Sequence, residues 1–70
     1  MEIQSIIFYK TGWTKAEAIL WLTSHSKLYD IDEKDNSYRA RQKEPSLFDR
    51  HSFRIKEINA HMDFVIGKLK

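Results

Sequence analysis

Residues 38 to 45, YRARQKEP, set Arg39, Arg41 and Lys43 on one side of an extended chain and Tyr38 and Ala40 on the other. Cations at two-residue intervals on a strand are what a phosphate backbone needs, because each guanidinium or ammonium can neutralise one phosphate. Arg54 and Lys56 repeat the interval in a second segment, FRIKEI, with Phe53 and Ile55 on the inward side. If the two segments neighbour each other, all five cations share one sheet face. The plain alternative is that outward strand positions must be polar, and long Arg and Lys stems cover a sheet while keeping their charge wet.

Other chemistry is short of parts. The only glycines are Gly12 and Gly67, so there is no phosphate-binding glycine loop. There is no cysteine, hence no thiol nucleophile, disulfide or thiolate metal site. No serine stands in a nucleophile elbow, and His25, His51 and His61 lack metal-ligand spacing. The acidic stretch DIDEKDN offers Asp30 and Asp32 at a calcium-loop interval. There, however, Lys34 replaces the next ligand, Asp35 the required glycine, and Arg41 the closing glutamate. These absences argue against an enzyme, a cofactor and a bound metal.

Charge is distributed unevenly. The chain carries +2 overall, but between Arg39 and Lys56 six cations face Glu44 and Asp49, a local balance of +4. Between Asp30 and Asp35, three aspartates and Glu33 face only Lys34, a balance of −3.

The elements that must position these residues are legible in the periodicity. IQSIIFY, residues 3 to 9, reads as a strand with apolar residues on both faces. In WTKAE, Thr14 and Glu17 form a capping box, and Trp13 and Ala18 occupy the positions of a hydrophobic staple. The helix they open runs from Lys15 to Ser24 or His25, with Ala16, Ala18, Ile19, Leu22 and Thr23 on one broad face. Trp21 sits at a shoulder of that face, as a lid over the core edge or as an exposed contact. Strands follow at 27 to 31 and 37 to 44, joined by a turn at Asp35-Asn36. Pro45 stops the second of them, and a loop with a helical turn near Leu47 and Phe48 leads to strands at 53 to 58 and 62 to 69. The result is an α+β domain spanning residues 1 to 70, order β-α-β-β-β-β, with one helix across one face of a mainly antiparallel sheet of four or five strands.

The series Trp13, Ala18, Trp21-Leu22, His25, Tyr38-Arg39-Ala40-Arg41-Gln42, Pro45, Phe48, Ser52-Phe53-Arg54 and Val65-Ile66-Gly67-Lys68-Leu69-Lys70 resembles a small domain of tailed-phage and prophage proteins. That domain lies beside, or is fused to, prohead proteases and related head-morphogenesis proteins. The chain departs from its pattern at Ala40, where an aromatic is usual. The resemblance implies a viral context, in the host cytoplasm or the virion, and carries over no catalytic residues.

Together these readings anticipate a soluble, non-enzymatic accessory protein that binds a viral or host protein, in head assembly or by engaging a host factor. The contact residues expected are Arg39, Arg41, Lys43, Arg54, Lys56, Trp21, Leu47 and Phe48, a mixture that interface centres favour. The alternative is nucleic acid on a basic sheet face, and pairing with a second copy through a free edge is open. No membrane partner is expected, since the longest apolar run, Ala18 to Leu22, is far too short to span one.

Overall fold

β1 spans Glu2–Tyr9, α1 Lys15–Ser24, β2 Ile31–Glu33, β3 Ser37–Arg41, β4 Arg54–Asn59 and β5 Met62–Gly67 in a computed structural model describing all residues from Met1 to Lys70. A 3₁₀ turn at Pro45–Leu47 lies between β3 and β4. The strands form one sheet in the order β2-β3-β1-β5-β4, antiparallel at every junction. This is the expected α+β architecture, one helix on a five-stranded antiparallel sheet. No helix is long and apolar enough to cross a membrane.

β3, β1 and β5 occupy the interior of this order, and β1 and β5 bring apolar residues to both faces. Cross-strand register puts Ile6 between Ala40 and Phe64, and Phe8 between Tyr38 and Met62. These residues face α1, and with Ala18 and Leu22 they make the main core. Complete burial of a side chain such as Phe8 is worth about 1.5–3 kcal/mol, and Phe8 also receives Trp13 and Trp21 edge-on at 4.8 and 5.7 Å.

The helix begins as its cap dictates. Thr14 Oγ1 accepts from the Glu17 amide at 3.2 Å, and Glu17 Oε1 accepts from the Thr14 amide at 2.9 Å. Its buried face is narrower than expected: Ala18 and Leu22 are enclosed, while Ala16 and Thr23 are exposed. The bulk of Trp21 shifts the axis of contact, since it lies over the core edge between Phe8 and Phe64. Lys27 N donates to Leu22 O at 2.8 Å, and Ser26 takes a left-handed φ of 57° to close the helix.

The strand expected over 27 to 31 begins only at Ile31. The Gln42 side chain explains why: its Oε1 accepts from Leu28 N at 2.9 Å and its Nε2 donates to Leu28 O at 2.8 Å. One amide thus satisfies backbone that a neighbouring strand would otherwise pair. β3 likewise ends at Arg41 rather than Glu44, because the Gln42 and Lys43 amides both turn to Gln4 O.

The opposite sheet face has its own cover. Gly67 lets the loop pack directly on β5: a Cβ there would lie 2.8 Å from Phe48 Cδ2 and 3.1 Å from Phe53 Cδ1. The Phe48 and Phe53 ring centroids are 5.4 Å apart, and Phe48 is 1% exposed. Phe48 pairs with Leu69 in an isolated antiparallel bridge that holds the loop to the chain beyond β5.

Two substitutions test these determinants in urea titrations. Thr14→Ala should lower stability by about 1 kcal/mol through loss of the cap. Gly67→Ala should lower it by about 1–3 kcal/mol, because the added methyl would lie 2.8 Å from the enclosed Phe48 ring, which must shift to admit it. A Gly67→Ala protein as stable as the parent would show that the loop does not pack on β5 in solution.

Candidate functional site

Register and strand order together dismantle the basic row. Arg39 lies opposite Ile7 on β1 and Asp32 on β2; Arg41 lies opposite Ser5. Both therefore occupy the face away from α1. Arg54 and Lys56 lie opposite Ile66 and Phe64, on the face that α1 partly covers. Between β3 and β4 stand β1 and β5, so the two cationic segments sit toward opposite edges as well as on opposite faces. Phe53 and Ile55 were expected to face the helix. Instead Ile55 lies opposite Val65 on the other face, because Phe53 is drawn onto Gly67 and sets the phase of the strand it opens.

The individual cations are also engaged locally. Arg39 is half-buried, and its Nη2 donates to Gln4 Oε1 at 3.4 Å. That oxygen also accepts from Ser5 Oγ at 2.7 Å, and Gln4 Nε2 donates to Lys43 O at 3.1 Å. A β-bulge between Ile3 and Ser5 brings Gln4 and Ser5 together in this buried polar knot. Arg41 pairs with Glu44 at 3.4 Å, an exposed contact of small energetic weight. Lys43 lies past the end of β3 and is exposed. Arg54 Nη1 folds back onto the carbonyls of Phe53 and His51, at 2.8 and 3.4 Å, whereas Lys56 projects without an ion pair.

Of the apolar candidates, Trp21 is the lid: half-buried on the core and stacked on His25 with ring centroids 3.9 Å apart. Leu47 is exposed, but Phe48 is interior and offers a partner nothing to touch. The eight expected contact residues thus do not converge. No three of the histidines and carboxylates come together as a metal would require.

The sequence allows for a free sheet edge that could take a partner strand or a second copy, and the fold identifies the strand that offers it. β4 is a terminal strand of the sheet, and all six of its residues are exposed, Ile55 at 62%. Its outer backbone edge has no partner, a configuration that favours addition of a further strand. The other edge, β2, is only three residues long and is hedged by charge: Lys10 bridges to Glu33 and Lys34 to Asp32, each at 2.9 Å. Lys10 also lies over the Tyr38 ring. Strand length and alternation reveal β4 in the sequence, but that it is an edge is a property of strand order alone.

The titration behaviour reflects the same contacts. The Lys10 bond holds the Glu33 carboxyl below its ordinary value of 4.5, and the Thr14 backbone and hydroxyl do the same for Glu17. Lys10 is raised above 10.5 by Glu33, and Tyr9 above 10.0 because its hydroxyl donates to Asp63 at 2.6 Å. Carboxyls lowered by folding contribute stability above their unfolded value, lost as pH falls through the folded one. Groups raised by folding contribute below their unfolded value and lose it as pH rises. The stability advantage of the parent over Glu33→Gln should therefore shrink as pH drops below 4.5 in urea titrations, and an advantage that grew with acidity would contradict the assignment.

Comparison of the chain with protein-family models, with curated proteins and with solved structures returned no match.

Proposed function

We propose that this protein acts by binding and not by catalysis, and that it accepts an extended segment of another protein as a sixth strand on the β4 edge. The observation that carries the reading is a six-residue terminal strand with every residue exposed to solvent. Strand addition supplies affinity through main-chain hydrogen bonds and specificity through alternate side chains. Arg54 and Lys56 border one side of the incoming strand and Ile55 the other, so the fitting segment alternates acidic and apolar residues.

A second copy of the chain fits this edge poorly. Antiparallel self-pairing about a two-fold normal to the sheet sets residues of the same face opposite each other. Centred on Ile55 it opposes Arg54 to Lys56, and centred on Arg54, Lys56 or Glu57 it opposes that residue to its own copy; a register centred on Ile58 avoids like charges but falls on the irregularity between Glu57 and Asn59. Like charges directly opposite are destabilising. The resemblance to tailed-phage domains supports a viral setting, as an accessory protein of head assembly or one that engages a host factor, in the host cytoplasm or the virion. The nucleic-acid alternative on a basic sheet face has little support once the cations divide between two faces.

The test is a library of short segments alternating Asp or Glu with Val or Ile, screened against the whole protein. Binders should protect the β4 amides, Arg54 to Asn59, from hydrogen exchange. Lys56→Glu should weaken capture several-fold without altering thermal stability, since the side chain is exposed. Protection appearing elsewhere, or capture indifferent to both Lys56→Glu and Ile55→Asp, would remove the reading. By light scattering the protein alone should be a monomer.

A further inference from the structure

A group of unpaired cations lies away from the sheet face, at the corner where the loop after the 3₁₀ turn meets the chain beyond β5. Backbone bonds frame it: Asp49 N donates to Lys68 O at 2.9 Å and Lys70 N to Leu47 O at 3.0 Å. Ser52 ties the two segments again, its hydroxyl accepting from Lys68 N at 2.8 Å and donating to Asp49 O at 2.6 Å. Between them is an open depression of about 720 Å³ lined by Asp49, Arg50, His51, Lys68, Leu69 and Lys70.

None of Arg50, Lys68 and Lys70 takes part in an ion pair. Arg54, whose guanidinium is fastened to the His51 and Phe53 carbonyls, adds a fourth cation at the same corner. The one acid, Asp49, turns a carboxylate oxygen inward to accept from His51 N at 3.0 Å. Arg50 Nε donates to His51 Nε2 at 3.4 Å, which holds the two side chains together beside the depression. Of the ten acids, four lie around β2 at the other edge of the sheet, Asp30, Asp32, Glu33 and Asp35, and Asp49 alone lines the depression, so the local field there is positive and favours an approaching polyanion.

We infer that this corner binds the phosphodiester backbone of nucleic acid. The chemistry of the lining separates this ligand from a protein partner: five of the six residues are charged or polar, with one leucine. Centres of protein–protein interfaces are depleted in charge, whereas nucleic-acid interfaces are polar and strongly positive. The depression is also broader than one phosphate requires, and its cations come from two segments held in a bonded frame. Ordering them on a ligand therefore demands little backbone rearrangement. The site is independent of the β4 edge proposed for a protein partner, although Arg54 borders both.

Fluorescence anisotropy of labelled single- and double-stranded oligonucleotides, with the whole protein and a salt series, tests the inference. With three to four phosphates neutralised, log K should fall with log salt at a slope of about −3 for duplex and somewhat less for single strands. Arg50→Ala and the double variant Lys68→Ala/Lys70→Ala should each weaken binding and flatten the slope by about one unit per cation removed. Arg39→Ala, on the sheet face, should leave both unchanged, and Ile55→Asp, which disables the strand-addition edge, should also leave oligonucleotide binding intact. The side chains of Arg50, Ile55, Lys68 and Lys70 are exposed, so circular dichroism of these variants should show no loss of fold, and Arg39→Ala, at a half-buried side chain, is compared at matched folded fraction. Absence of retention at low salt for both oligonucleotides would overturn the inference. So would a slope insensitive to the Arg50 and Lys68/Lys70 changes, or equal binding of poly-glutamate, which would show a surface for any polyanion.

Discussion

Gly67 has no side chain, and the space this leaves on β5 organises one whole side of the molecule. Phe48 and Phe53 lie on it so closely that a single methyl would collide with both rings. Once Phe53 is committed to that face, alternation obliges Ile55 to follow it and turns Arg54 and Lys56 toward the side of the helix. Once Phe48 is committed, its bridge to Leu69 draws the loop along the chain beyond β5, and Arg50 and His51 come to rest beside Lys68 and Lys70. The division of the basic row and the assembly of the cationic corner thus have one cause.

The sheet is covered unequally as a result. One face is closed by α1 through Ala18, Leu22 and Trp21, and the other is closed only at its β5 end, by the loop. Over β3 the second face is finished with polar chemistry, where Gln4 holds Arg39, Ser5 and the Lys43 carbonyl in one network. At the edges the contrast is sharper. β2 is short and hedged by ion pairs, while β4 is long and unpaired, and its own charges oppose pairing with a copy of itself. The proposed strand addition rests on this unpaired edge.

Local signals carried much of this architecture into the sequence. The capping box of Thr14 and Glu17, the period of the helix, the two-sided apolar strands and the turn at Asp35-Asn36 each involve residues a few positions apart. Their physics is complete within that span. The errors all involve distant partners. The strand misjudged at 27 to 31 lost its pairing to the Gln42 side chain, 14 residues away from Leu28. The period of the helix likewise carries no sign of the contacts Trp21 makes with Phe8 and Phe64. Phe48 was assigned to a loop surface because nothing nearby shows that a glycine 19 positions later makes room for its ring.

What the sequence determined by itself was the set of elements, their order, and the polarity of charge along the chain, because propensity, capping and periodicity are short-range. Tertiary structure alone decided which strands are neighbours, which face each cation occupies, and which edge is free. These follow from competition among apolar surfaces for a limited interior, in which β1 takes the centre between β3 and β5 and leaves β2 and β4 at the rims. A cation's meaning depends on what stands beside it, and for Arg50 the neighbours that matter are Lys68 and Lys70, nearly 20 residues away in the chain and adjacent only once the loop is seated.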